Sequence, residues 1–260
     1  MRTLGQFYAV DSPVHALDAR AKILAVAILA VGLFAVGSLA GFLVVGAALL
    51  LCVAASRVPP GTFLAFVRPV LPIVLATALF QALFSREGEV LFQWGFVEVR
   101  DAGLRLAAFL VLRILLLVGA AGLLTATTSP LALADGIEDL LSPLKKLRLP
   151  VHEVAMMMSI ALRVVPTLAD EAARILKAQA ARGADFSEGG LFKRARAMLP
   201  VLVPLTVGAF RRADELAEAM ESRGYRGGEG RTRYRELRFR KRDALALVLT
   251  ALVLLVGVLL

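Results

Sequence analysis

The sequence predicts an all-α membrane protein, with about five transmembrane helices plus a cytoplasmic domain of amphipathic helices. Three observations predict it. Residues 23–55 contain no charged side chain. The chain is 58% hydrophobic with a mean hydropathy of +0.75, against an apolar content of about 45–50% in ordinary soluble domains. Of its 30 Lys and Arg residues, 21 fall within residues 129–242, a bias that the positive-inside rule reads as one cytoplasmic segment. The net charge of +9 therefore signals topology and contact with membrane lipid, with no need of a nucleic-acid partner.

The polar lead-in, residues 11–22, ends in Asp18-Ala19-Arg20-Ala21-Lys22, where Asp18 suits the N-cap of a helix and Arg20 and Lys22 read equally well as cytoplasmic flank charges. Residues 1–22 are too mixed and polar for a signal peptide. As one helix the uncharged run Ile23 to Ala55 would be about 50 Å long, against a hydrocarbon core of about 30 Å. Gly37-Ser38 and Gly41 near its middle divide it into two spans, 21–37 and 39–55. Cys52 is the only cysteine, so an intramolecular disulfide is excluded and an inert packed thiol is expected.

A third span, 69–84, follows the Pro59-Pro60-Gly61 turn and Arg68-Pro69, with Gln81 as its one strongly polar residue. The charged stretch Ser85 to Asp101 reads as an outer loop, with Trp94 as an interface anchor. A fourth span covers 104–126 and places Arg113 near its middle, where a charge is costly and is expected to face another helix. Arg105 is close enough to the span's end to snorkel. A fifth span, 244–260, follows the basic run Arg231 to Arg242, a patch suited to anionic lipid. With five spans the N-terminus is cytoplasmic and only Arg86 and Arg100 stand in the outer loop.

These spans divide the chain into a membrane domain, 1–128, a cytoplasmic domain, 129–242, and a last helix, 243–260. Ser129-Pro130 opens a helix to about Leu141, and Ser142-Pro143 and Leu149-Pro150 punctuate the next turns. A long helix runs from Val151 to Arg182 with a break or bend expected at Pro166. Its second half sets Leu168, Ala172, Ile175 and Leu176 on one face. A later helix does the same with Val207, Phe210, Ala213, Ala217 and Met220, after an apolar stretch broken by Pro200 and Pro204.

Both amphipathic helices stop at one sign. The first ends in Ala181-Arg182-Gly183 and the second in Ser222-Arg223-Gly224, 41 residues later. Each reads as an ordinary C-terminal cap, glycine taking the left-handed position and arginine favouring the negative end of the dipole. Two copies add a docking role, because a helix that stops at glycine leaves its arginine at the tip, free for bidentate bonding in a partner's pocket. Catalysis has no comparable candidate. His15 and His152 lie far apart and read as capping or packing residues, and neither glycine-rich stretch, 182–185 or 227–230, carries the Lys-Ser/Thr of a nucleotide loop.

With these residues in view, the sequence resembles the transmembrane T component of energy-coupling factor (ECF) transporters, the vitamin and transition-metal importers of prokaryotes. The resemblance runs through His15-Ala16-Leu17-Asp18-Ala19-Arg20-Ala21-Lys22, Thr127-Thr128-Ser129-Pro130, Leu162-Arg163-Val164-Val165-Pro166, Gln179 to Asp185 and Ser222-Arg223-Gly224-Tyr225. Each is a weak sign alone, and their order and spacing make them specific. Ser222 stands where the family often has alanine. The resemblance implies a plasma-membrane subunit of an ABC importer that binds no cofactor of its own. Two ATP-binding-cassette ATPases hold and hydrolyse ATP, a separate S component holds the substrate, and the T component joins them. Arg182 and Arg223 would each enter a groove on one ATPase, making 129–242 a coupling domain. The tail Gln179 to Asp185 looks more like T components shared among substrates than those dedicated to cobalt or nickel. The competing class, a stand-alone secondary transporter or channel, would need inverted repeats and ionisable residues in the first three spans, which are scarce here.

Overall fold

The computed structural model describes residues 7–85, 88–94, 97–143, 151–184, 186, 190–227 and 239–260. Its helices and one hairpin follow in the order α1 (Ala19–Gly32), α2 (Leu39–Ser56), α3 (Pro60–Val67), α4 (Leu71–Phe84), β1 (Val90–Trp94), β2 (Val97–Arg100), α5 (Asp101–Thr127), α6 (Pro130–Leu141), α7 (Val151–Ala181), α8 (Leu191–Ser222) and α9 (Lys241–Leu259). They form two compact units, Met1–Leu140 with Glu236–Leu260, and Leu141–Arg235.

In the first unit Asp18 caps α1 as its position suggests, its carboxylate accepting the Arg20 N–H at 2.9 Å. Apolar residues carry α1 only to Gly32, and residues 33–38 then turn into α2. At 14 residues α1 is about 21 Å long, short of the roughly 30 Å of a bilayer core. The uncharged run is thus two helices, and the first is shorter than the span expected over 21–37. Ser38 caps α2 by accepting the Gly41 N–H at 3.0 Å. A Cβ on Gly41 would overlap the carbonyl of Gly257 in α9, so only glycine lets these two backbones meet.

The span expected over 69–84 is α4, and the turn expected before it at Pro59-Pro60-Gly61 instead opens a further helix, α3, which meets α4 at a bend of 53°. Pro60 starts α3, where its missing N–H costs nothing, and Pro72 lies at the start of α4. Pro69 within the 68–70 break and Pro72 just after it each lack a ladder N–H and clash with the carbonyl four residues earlier, so no regular helix runs through. Among the described residues, α2, α5 and α9 are long and apolar enough to cross a membrane, four spans in all if the bent pair is one. The stretch expected as an outer loop also differs from expectation. Val90–Trp94 and Val97–Arg100 pair as an antiparallel hairpin with an irregularity between Val90 and Phe92, as their β-branched and aromatic residues favour. The side chain of Trp94 lies outside the described residues.

The core of this unit is Leu33, Val36, Phe42, Val45 and Leu254, with Phe109, Leu112 and Leu116 of α5 against it. α6 starts where Ser129 caps it by accepting the Ala132 N–H at 3.2 Å, and Gly136 lets it lie against Ala19 and Ile23 of α1.

The second unit is built on α7 and α8, which pack on each other. Pro166 lies inside α7, and Pro200 and Pro204 inside α8. The expected interruption at Pro200 and Pro204 is therefore absent, and α8 continues for 32 residues. A proline inside a helix removes one ladder bond and leaves the others in place. The punctuation at Leu149-Pro150 and most of the basic run, Arg231 to Arg238, lie outside the described residues.

Candidate functional site

The two Arg-Gly ends are the same structure built twice. At the end of α7 the Arg182 N–H donates to Gln179 O (3.1 Å), Gly183 N–H to Ala180 O (3.0 Å) and Ala184 N–H to Gln179 O (3.0 Å). At the end of α8, Arg223 N–H donates to Met220 O (3.2 Å), Gly224 N–H to Glu221 O (2.9 Å) and Tyr225 N–H to Met220 O (3.0 Å). Both are Schellman caps, with the outer N–H reaching back over the last turn. Gly183 has φ +87° and Gly224 has φ +75°, and a Cβ on either would touch nothing within 4 Å. Glycine is there for its left-handed backbone, not for space.

Ala181 and Ser222 close their helices, and the Ser222 hydroxyl donates to Ala219 O at 3.1 Å. Serine thus adds one bond to the last turn and leaves the cap unchanged. Arg182 and Arg223 are exposed, and among the described residues neither guanidinium has a bonding partner. The cap is complete through backbone atoms alone, so both side chains are free for something else.

A further pair ties the helices together at matching positions. Arg212 of α8 donates to Glu171 of α7 at 2.9 Å, beside Gly208, whose missing Cβ leaves room for the carboxylate. Glu171 and Arg212 are 41 residues apart, the same interval that separates Arg182 from Arg223. The helices therefore meet at equivalent points of their repeat, and each tip lies about 16 Å further along its own helix at 1.5 Å per residue.

The comparisons with known proteins agree on what carries this arrangement. The cobalt transport protein family, CbiQ, matches residues 11–234. The chain is 52% identical over 245 residues to the energy-coupling factor transporter transmembrane protein EcfT of Thermanaerovibrio acidaminovorans, covering 94% of this chain and 91% of that one. It is 49% identical to EcfT of Acidaminococcus fermentans (98% and 95% covered) and 44% identical to that of Bacillus subtilis (94% and 92%). The chain belongs to the family of ECF transporter transmembrane components.

In this T component a second set of charges is buried at the start of α1. Asp18, with its side chain 4% exposed, pairs with Arg20 at 3.0 Å, and Arg20 also reaches Asp139 of α6 at 3.5 Å. Burial pushes the Asp18 carboxyl up, but bonds from the Arg20 guanidinium and backbone N–H outweigh it and hold the carboxyl below its ordinary value. Lys22 spends its three N–H donors on Thr127 O (2.9 Å), His15 O (3.3 Å) and Thr128 Oγ1 (3.3 Å). Asp243, 1% exposed, accepts the Asp18 N–H at 2.8 Å and the Arg240 N–H at 2.7 Å. Arg20 and Lys22 are thus bonded inside the fold and are more than flank charges. Sequence reasoning missed Asp243, whose partner is 225 residues away.

His15 packs within the lead-in, its ring centre 6.1 Å from that of Phe7. Its Nε2 donates to Tyr8 O at 2.9 Å, which leaves Nδ1 to accept from the Ser12 hydroxyl at 2.7 Å. The side chain of His152 lies outside the described residues. Arg105 pairs with Asp101 at 3.0 Å on the surface.

Arg113 and Gln81 lie in the first unit and the Arg-Gly ends in the second. Arg113 donates to Leu33 O at 3.1 Å and Val36 O at 3.5 Å, and its guanidinium carbon stands 5.0 Å from the Phe34 ring centre. Those carbonyls belong to the α1–α2 turn, at an end that a helix leaves without internal donors. Arg113 supplies what water cannot at that depth. Lys22 joins α1 to Thr127, and Arg113 stands 14 residues before Thr127 on α5, about the 21 Å length of α1. Gln81 is half-buried, and among the described residues its amide makes no hydrogen bond.

Proposed function

We propose that this T component is the non-catalytic coupling subunit of a prokaryotic importer, carrying the closing and opening of two ABC ATPases to a substrate-binding S component. The observation that carries the proposal is the repeat: two matching caps, each presenting an arginine with no side-chain bond among the described residues, on helices joined at equivalent positions by Glu171 and Arg212. Two equal tips suit two ATPase subunits, each taking one arginine into a carboxylate-bearing groove. Residues 129–242 are then the cytoplasmic coupling domain, and ATP is bound by the partners. Exposed apolar residues of α7 and α8, among them Val154, Met157, Leu202, Val207 and Phe210, support contact with a further apolar partner. Vitamins or transition-metal ions are the substrate class, and the relatives, named for the energy-coupling factor alone, support a T component shared among substrates.

The test is recovery of ATPases on tagged protein from native membranes. Removing a buried interfacial arginine costs about 2–5 kcal/mol, so each single alanine variant should weaken ATPase binding at least tenfold, with uptake lowered to match. Arg182→Ala with Arg223→Ala should recover almost none. Arg→Lys variants should restore part of the loss, because an ammonium lacks the planar two-bond contact. Full recovery and normal uptake in the double alanine variant would leave these ends as plain helix caps. Orientation has its own check. In intact cells an impermeant thiol reagent should label a cysteine at Leu260 and spare one at Gln6, in a Cys52→Ala background. Labelling at position 6 would put the N-terminus outside and overturn the cytoplasmic placement.

A further inference from the structure

α8 is packed along only part of its length. Its enclosed side chains recur at Ala197, Val201, Leu205, Gly208 and Arg212, one stripe at helical spacing. The stripe meets α7 at its far end, where Gly208 and Arg212 both stand against Glu171. Beyond Arg212 it stops, and residues 213–218 are all exposed. Arg212 is thus the last residue of the packed face, and the helix continues from it as an arm toward Arg223.

The bond at this last contact is single. Arg212 Nη2 donates to Glu171 Oε2 at 2.9 Å, while Nη1 is buried and among the described residues has no hydrogen-bond partner. A buried donor left idle is costly and rare in native proteins, so the missing second bond asks for a reason. Two parallel bonds would fix the plane of the guanidinium against the carboxylate, whereas one bond lets the two turn about it with the charge pair intact. Gly208 leaves clearance for that turn, since a Cβ there would stand 3.3 Å from Glu171 Oε1. The arms on either side are equal, from 171 to 182 and from 212 to 223, each about 16 Å at 1.5 Å per residue. Packed helix pairs scatter by about 15–20° around their preferred crossing angles. With arms of this length, 20° at the pair changes the separation of the tips by up to about 6 Å.

We propose that Glu171 and Arg212 are positioning residues, the pivot from which the two arginine-bearing arms extend. The pair sets the separation of Arg182 and Arg223 and lets the angle between the arms change without parting the helices. Two sites that bind together gain from being held at the right separation and lose that gain when they are not. The setting of the arms stands on the contacts of α7 and α8 alone, and its use in coupling rests on the function proposed above.

The test uses the full chain with Cys52→Ala, spin-labelled through Ala180→Cys and Glu221→Cys, two exposed positions 41 residues apart, in lipid nanodiscs. Double electron–electron resonance reads the distance between the arms. The intact pair should give one narrow distribution. Glu171→Gln and Arg212→Gln should each broaden it and shift its mean by up to about 5 Å. Glu171→Arg with Arg212→Glu rebuilds the pair in reverse and should restore the narrow distribution, a rescue that a merely unfolded helix pair would not show. Arg211→Gln breaks only an exposed contact with Glu215 at 3.7 Å and should change nothing. Distances unaltered in both single variants would overturn the pivot, as would an equal shift from Arg211→Gln or a reversed pair as broad as the singles. On tagged protein from native membranes, the single variants should recover less ATPase than wild type and the reversed pair should regain it. Shifted distances with wild-type ATPase recovery would overturn the positioning role. Retention of the ATPases by Arg182→Ala with Arg223→Ala would instead place the fault in the proposed function, with the distances unaffected.

Discussion

Arg113 and the pair Arg182 and Arg223 are the same side chain in opposite circumstances. Arg113 lies against the α1–α2 turn and bonds two backbone carbonyls of its own chain, whereas the other two stand exposed on completed caps with no bond among the described residues. At the other end of α1, Lys22 and Asp18 are likewise bonded into the fold. The difference teaches how to sort the basic residues of such a protein. A cation whose donors are used internally belongs to the fold, and one left idle on a rigid cap is available to a partner.

The largest effect that would sharpen this contrast is expected at Arg113. Arg113→Leu removes the donors to Leu33 O and Val36 O where water is excluded, and each orphaned group there costs several kcal/mol, for a loss of about 3–5 kcal/mol. Thermal unfolding in mild detergent should show a large fall in the midpoint, with Arg113→Lys keeping part of it. Arg182→Ala with Arg223→Ala should stay within about 0.5 kcal/mol of wild type in the same assay, as exposed substitutions do. Equal falls in the two would erase the distinction, and an unaltered Arg113→Leu would show its bonds to be dispensable.

Lys22→Met comes next. It leaves Thr127 O and Thr128 Oγ1 buried without the ammonium, at about 1–3 kcal/mol for each unsatisfied group. Unfolding measurements should show it clearly less stable than wild type. A midpoint equal to that of wild type would return Lys22 to the status of a flank charge.

The smallest effect is at Asp18 and depends on pH. A carboxyl held below its ordinary value contributes stability that is complete above the unfolded value of about 3.8, and that is lost as pH falls through its lower folded value. Wild type should therefore exceed Asp18→Asn in stability at neutral pH, and the gap should close below about pH 4. A gap that persisted undiminished well below that range would mean that the charge of Asp18 contributes little.

Much was legible in the sequence because the signals are local. The uncharged residues 23–55, the Asp18 cap, the Ser129-Pro130 helix start and the two Arg-Gly ends are each set within a few residues by hydropathy, capping chemistry and the freedom of glycine. The interval of 41 residues between the arginines was equally visible, and the opposite charges of Glu171 and Arg212 at that interval are the sign that went unread. The hairpin at 90–100 was hidden because a few alternating residues between two apolar helices carry a weak signal.

What only the tertiary structure decided depends on residues distant in the chain. Nothing near Asp243 announces that it accepts from the backbone of Asp18, and nothing near Arg113 says which carbonyls it bonds. The shortness of α1 follows from the same cause, since its turn at 33–38 is tolerated at that depth because α5 delivers a donor there. Gly41 and Gly257 read separately as helix glycines, and together they bring α2 and α9 into contact at one end. Hydropathy and caps act through neighbours along the chain, whereas buried hydrogen bonds and backbone contacts arise between helices that the sequence presents far apart.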